Sequence, residues 1–132
     1  MSAVFGYELD LTKLSPEEKK QVKDQIIFYQ TIRPVIQYGH YYRLASPFEE
    51  NIAAWMFVSP KQDEAIVFLG RILASAQPVF HEVYLMGLDD EALYQEHTSK
   101  RIFSGAELMT VGLYFRDFQG DFQTELLHFK KL

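Results

Sequence analysis

No cysteine occurs among the 132 residues. Disulfides and thiolate metal sites are therefore excluded, and a reducing compartment is the natural setting. Basic charge is in deficit, with 13 lysines and arginines against 18 aspartates and glutamates, a net charge of −5. Nucleic-acid binders gather Lys and Arg on one face; no such cluster is present, so no nucleic-acid partner is expected. The longest apolar run, Ile52 to Val58, is far too short to cross a bilayer, and no membrane partner is expected either. Met1 to Gly6 has no basic stretch leading into a long apolar one, so it does not read as a secretory leader. These absences together describe a soluble, cytoplasmic protein. Gly-rich phosphate loops and serine nucleophile elbows are also missing.

What the chain has is apolar and aromatic mass. Hydrophobic residues make up 48% and charged residues 23%, enough to build one sizeable core and to exclude a disordered class. Aromatics reach 15%, from 11 Phe, 8 Tyr and one Trp. That richness suits β-structure and large buried contacts.

The strongest local signal is a helix start at Ser15-Pro16-Glu17-Glu18. Ser15 is the N-cap, Pro16 occupies the first position, and Glu18 closes a capping box. Val22, Ile26, Tyr29 and Ile36 follow at helical spacing and define one apolar stripe, with Lys19, Lys20, Lys23 and Asp24 opposite. Pro34 should break or kink the last turns, and Gly39 is a natural stop. Before the helix, Phe5 to Leu11 alternates like a strand.

Beyond Gly39 the period shortens. Seven segments read as strands: 41–44, 53–59, 64–74, 79–86, 92–96, 113–115 and 122–129. Turn-prone stretches such as Ser59-Pro60-Lys61-Gln62-Asp63 and Gly87-Leu88-Asp89-Asp90 separate them. Residues 55–58 and 65–69 are continuously apolar, which predicts central strands covered on both faces, joined as a hairpin over 60–63. Ser104 to Met109 resembles a short helical turn. The expected fold is mainly β: an antiparallel sandwich over 41–132, preceded by one long helix. A single strand feeding a helix is half of a βαβ unit, and within 1–40 it lacks neighbours.

Catalytic constellations are hard to find. Retaining glycoside hydrolysis needs two carboxylates roughly 5–5.5 Å apart. Glu49 with Glu50, Asp89 with Asp90, and Asp117 with Asp121 are pairs by count, but turns make them solvated acids first. His40, His81, His97 and His128 are widely spaced and show no metal-ligand pattern. Trp55 could be a sugar-stacking platform, although core packing fits its apolar run better. Tyr38, Tyr41 and Tyr42 could form an exposed aromatic patch, but wedging between helix and sandwich is the first reading.

Several stretches in order resemble the C-terminal end of glycoside hydrolase family 36 α-galactosidases. They are Phe5-Gly6-Tyr7-Glu8-Leu9-Asp10-Leu11-Thr12-Lys13-Leu14-Ser15, Ile32-Arg33-Pro34-Val35-Ile36-Gln37-Tyr38-Gly39, and Tyr42-Arg43-Leu44 with Ser46-Pro47-Phe48. Ala53-Ala54-Trp55-Met56-Phe57-Val58, Gly87-Leu88-Asp89, Ala92-Leu93-Tyr94, and Ser104 to Met109 with Gly112-Leu113 continue the series to Asp121-Phe122-Gln123. The resemblance implies that 1–40 is the last strand and helix of a (β/α)₈ barrel and 41–132 the C-terminal β-sandwich of a larger enzyme.

Such enzymes hydrolyse terminal α-linked galactose, as in melibiose and raffinose, with retention. Their two catalytic aspartates lie upstream, so no catalytic residue is carried over to this chain, and no cofactor or metal is expected. Partners would be the remaining barrel and, through it, a galactoside; self-association through the helix is a further expectation. Phe5 and Gly6 would sit at the substrate edge, because barrel sites form where strands end. A conformational role for Gly6 is the plainer alternative. A free-standing carbohydrate-binding module is the rival reading.

Overall fold

The computed structural model describes Ala3 and residues 5–49, 51–73, 81–115 and 120–132. After a 3₁₀ turn at Leu11–Lys13 comes helix α1, Pro16–Tyr38. Strands β1 (His40–Ala45), β2 (Ile52–Val58), β3 (Glu64–Arg71), β4 (His81–Val83), β5 (Leu93–Glu96) and β6 (Ile102–Ser104) follow. Helix α2 (Gly105–Thr110), β7 (Leu113–Phe115) and β8 (Gln123–Lys131) complete the order. Six strands form one antiparallel sheet, β1-β2-β3-β8-β5-β6, and β4 pairs with β7 in a separate ribbon. Mainly β with one long helix is thus the observed class.

The β2–β3 hairpin explains the layers. Its register sets Met56 opposite Val67 and Phe57 opposite Ile66, so alternate residues face opposite sides. Ala54, Met56, Val58, Ala65 and Val67 join Tyr94, Leu108 and Phe129 in a core beneath the β4–β7 ribbon and α2. Phe57, Ile66 and Phe68 join Tyr29, Ile32, Val35 and Ile36 of α1 in a second core on the other face. Both faces are covered, as the continuous apolar runs require. Two loops are tied across the first core by the buried Tyr94, whose hydroxyl donates to the Gln62 carbonyl at 2.6 Å. The same hydroxyl accepts the Asp89 N–H at 3.0 Å.

Three local expectations are corrected. Phe5 to Asp10 forms no strand, and Leu11–Lys13 is a 3₁₀ turn. A lone strand without a sheet beside it gains no ladder, so Phe5 packs on Tyr29 of α1 at 5.1 Å between ring centroids. Pro34 does not end α1, which continues to Tyr38. Proline in a helix costs about 3 kcal/mol, and the burial of Ile32, Val35 and Ile36 around it offsets that cost. Tyr38 and Tyr41 are not wedged: they are 76% and 52% exposed. Only Tyr42 is half-buried, packed against the first core, and a side chain at Gly87 would collide with its hydroxyl.

The strand expected over 64–74 ends at Arg71, with residue 74 outside the described set. The one expected over 79–86 is seen as β4, with residues 79 and 80 also outside it. Strand β6 was not anticipated. The helical turn at 104–109 is α2, capped by the Ser104 hydroxyl on the Glu107 N–H at 3.0 Å.

Gly39 makes the junction between helix and sheet. Its N–H donates to the Val35 carbonyl at 2.8 Å, and its backbone is extended at φ −77. The glycine is needed for space: a Cβ would strike the backbone carbonyls of both Val35 and Val58. Neither carbonyl can swing away as a side chain would. Gly39→Ala should therefore destabilise the fold by about 1–3 kcal/mol, seen as a lower urea midpoint.

Candidate functional site

The N-terminal segment and the outer side of α1 form the most distinctive surface. Helix α1 starts as its sequence dictates: Glu18 N–H reaches Ser15 Oγ at 3.2 Å, and Ser15 N–H reaches Glu18 Oε2 at 2.8 Å. Just ahead, Asp10 Oδ1 accepts from the Thr12 hydroxyl at 2.6 Å and the Thr12 N–H at 3.0 Å. Those bonds, the hydroxyl's first, hold the Asp10 carboxyl below its ordinary value. They bend the chain so that Leu11 lies against α1.

The helix stripe then divides. Tyr29, Ile32, Val35 and Ile36 face the sheet, while Leu11, Ile26 and Ile27 remain 57%, 39% and 49% exposed. Leu11, Val22, Ile26 and Ile27, flanked by Lys19 and Lys23, line an open groove of about 560 Å³. The groove leaves apolar surface of α1 open on the side away from the sheet.

Phe5 and Gly6 lie beside that groove. Tyr29 donates its hydroxyl to the Ala3 carbonyl at 2.7 Å, pinning the segment across α1. The Phe5 ring meets Tyr7 edge-on at 5.0 Å. Phe5, Gly6, Tyr7, Tyr29 and Arg33 border a second cleft of about 360 Å³. Gly6 is not among the positive-φ residues, and a Cβ there would meet nothing within 4 Å. Conformation does not demand glycine at position 6, and neither does packing within this chain.

The other sequence candidates scatter. Asp89 accepts from Lys131 Nζ at 2.7 Å and Asp90 is exposed, while Glu49 and Asp121 are exposed. Glu50 and Asp117 lie outside the described residues. Among the described residues no three His, Cys, Asp or Glu side chains gather as a metal site, and no helix is long and apolar enough to cross a membrane. Trp55 is half-buried, its ring stacked on Phe68 at 5.6 Å and 8°. One face of the supposed sugar platform is already occupied.

Two buried ionisable groups, Glu96 and His128, have partners that the sequence reading did not supply. Burial acts to raise the Glu96 carboxyl, but bonds from Ser99 and Thr98 prevail and hold it below its ordinary value. It accepts the Thr98 and Ser99 N–H groups and so closes the β5–β6 turn. His128, 4% exposed, sits between sheet and α1 with Nε2 2.6 Å from Glu64 Oε1. Around it stand the Phe28 ring at 6.3 Å, the His97 ring at 5.6 Å, and Lys130, itself 3.6 Å from the same Glu64 oxygen. Nδ1 is buried without a hydrogen-bond partner. A neutral ring with its proton on Nε2 satisfies Glu64 and leaves only a lone pair unmet at Nδ1. The pairing spans 64 residues, so no local signal could have revealed it.

The model of the glycosyl hydrolase family 36 C-terminal domain matches residues 52–129. The chain belongs to this family. α-Galactosidase 1 of Pediococcus pentosaceus is 49% identical over 129 residues, covering 98% of this chain and 18% of that protein. The solved structure of α-galactosidase AgaA from Geobacillus stearothermophilus superposes with a TM-score of 0.93 at 41% identity, over 99% of this chain and 18% of that one. The α-galactosidase of Lactobacillus brevis gives 0.89 at 34% identity, over 96% and 18%. The chain thus spans under a fifth of the length of each of these proteins. In this family 36 domain the matched region starts at β2 and ends inside β8, so α1 and its groove stand ahead of it.

Burial of His128 predicts a loss of stability in acid. Burial lowers the His128 pKa and outweighs the opposing pull of Glu64. Above the ordinary value of 6.5 both folded and unfolded chains hold it neutral, and its contribution to stability is complete. Below that value the unfolded chain takes the proton first. Stability should then fall by at most about 1.4 kcal/mol per pH unit from this group. Urea titrations across this window should show that slope, and His128→Gln should flatten it.

Proposed function

We propose that this chain is the C-terminal brace of a larger α-galactosidase, contributing structure and no catalytic group. The carrying observation is 49% identity to an α-galactosidase across 98% of the chain, joined to an apolar helix face that the described residues leave partly exposed. On this reading residues 1–40 complete a (β/α)₈ barrel as its last strand and helix, and 41–132 form the sandwich behind it. The segment at Phe5, without a ladder here, would pair with the neighbouring barrel strands. The groove at Leu11, Val22, Ile26 and Ile27 would receive the neighbouring barrel layer, which a parallel βα unit requires on its flank.

The parent would cleave terminal α-linked galactose from melibiose- or raffinose-type sugars with retention, without a cofactor. Both aspartates would come from elsewhere on the parent. Phe5 and Gly6, at the end of a barrel strand, would approach the substrate edge, where a glycine admits close backbone contact. A galactoside would be met only through the parent. The cysteine-free composition suits a cytoplasmic enzyme. Without the barrel, the same helix face is the surface through which copies would associate.

Two measurements test this reading. The 132-residue chain alone should not turn over a chromogenic α-galactoside; specific hydrolysis would sink the proposal. In the parent enzyme, Ile26→Asp with Ile27→Asp should destabilise the protein by about 2–4 kcal/mol and lower activity with it. In the isolated chain, where both side chains already face water, the same pair should leave the melting temperature within a few degrees.

A further inference from the structure

The open groove on α1 runs between two rows of side chains. Residues four apart share a row on a helix, so Lys19, Lys23 and Ile27 form one ridge and Val22, Ile26 and Gln30 the next. The adjoining cleft shares Leu11, Val22, Ile26 and Gln30 with the groove and reaches Arg33. Tyr29, Ile32, Val35 and Ile36 hold another flank of the helix on the sheet.

The charges on this face are all of one sign. At about 100° per residue, Lys19, Lys23 and Arg33 fall within about 80° of one another around the helix. Glu17 and Asp24 fall about 140–160° from Lys19, away from the groove. Glu18 is turned back to accept from the Ser15 N–H. No carboxylate lines either cleft, in a chain that has 18 of them. Among the described residues Lys19, Lys23 and Arg33 have no ion-pair partner, whereas Lys13, Lys130 and Lys131 each have one.

These features select an occupant. Rows four residues apart accept the rows of another helix, and apolar side chains set between them supply the affinity, because exposed ion pairs contribute little. The rim decides which helix enters: one bearing cations is repelled along the whole face, and one bearing carboxylates is drawn in. Lys19 to Arg33 spans about 21 Å of helix axis, so the match needs about four turns. A second copy is a poorer occupant. A two-fold axis at Ile26 would set Lys19 of one copy against Arg33 of the other.

We propose that the α1 groove receives an acidic amphipathic helix, its apolar ridge between the two α1 rows and its carboxylates opposite Lys19, Lys23 and Arg33. The source of that helix rests on the brace reading: it belongs to the part of the parent α-galactosidase outside these residues.

Carbodiimide coupling of lysines to carboxylates in the intact parent, followed by peptide mass spectrometry, reads the contact directly. Lys19 and Lys23 should each be joined to an Asp or Glu outside residues 1–132, the two acceptors lying three or four positions apart. No coupling at either lysine overturns the proposal. So does coupling only within 1–132, or to a second copy in a mixture of light and isotope-labelled parent. Lys19→Glu, Lys23→Glu and Arg33→Glu together should lower the parent's melting temperature by about 3–6 °C and that of the 132-residue chain by no more than about 2 °C. An equal loss in both would mark a role inside this chain and overturn the proposal. Binding of the 132-residue chain to anionic phospholipid vesicles, abolished by the triple variant, would mark a membrane surface and overturn it as well. Turnover keeps the two readings apart: an active α-galactosidase without these cross-links sinks the acidic helix and leaves the brace standing.

Discussion

The two strands β2 and β3 carry large apolar side chains on both faces, and a sheet built that way has to be covered twice. Toward the ribbon stand Met56, Val58 and Val67; toward the helix stand Phe57, Ile66 and Phe68. Burying one such side chain fully contributes about 1.5–3 kcal/mol, so leaving either face open would cost several times the effect of an ordinary substitution. The ribbon and α2 cover one side, and α1 covers the other. This is why α1 does not behave as an appendage: its last three turns are part of the sheet's core. It also explains the tight junction at Gly39, where helix and β2 backbones approach too closely for a side chain.

The same helix has more apolar surface than the sheet can use. Ile32, Val35 and Ile36 lie on one side; Val22, Ile26 and Ile27 wrap around toward another. A helix that only capped a sheet would carry polar residues at 26 and 27, on its far side. Its apolar width is that of an element packed between two layers, of which the described residues supply one. The N-terminal segment gives the same indication independently. Its alternating pattern suits a ladder, yet Phe5 turns down onto Tyr29 in place of one.

Periodicity carried most of the fold. The Ser15-Pro16-Glu17-Glu18 start became a capped helix, and the two unbroken apolar runs became the central hairpin with both faces buried. Where the reading failed, a tertiary contact overrode a local rule. Pro34 was tolerated because residues on either side of it are buried, and the alternation at 5–11 found no sheet to join. Strand β6 has three residues and pairs only with β5, too little for a pattern. The long-range side-chain pairings were less legible still. Glu64 and His128 meet only because β3 and β8 are neighbours, and Glu82 meets Tyr114 only because β4 and β7 are. Neither pairing can be read from spacing along the chain.

Several of the described carboxylates are already spent on holding the fold together. Asp10 and Glu18 close turns at the helix start, Glu96 closes the β5–β6 turn, Asp89 holds Lys131, and Glu64 holds His128. Asp10, Glu18, Asp89 and Glu96, drawn below their ordinary values by such bonds, are poor general acids, since they hold no proton near neutrality. Retaining hydrolysis needs one carboxyl kept protonated and another kept free to attack, both aimed at one bond. Here these five acids are already committed to turns, a helix cap or ion pairs. What the domain can give an enzyme is position: a rigid, twice-covered sheet that fixes one side of α1 and leaves the other side apolar and ready. Small displacements of catalytic groups cost large factors in rate, so on the proposed reading, in which α1 is a barrel's last helix, a brace that holds it in place matters to turnover without touching substrate.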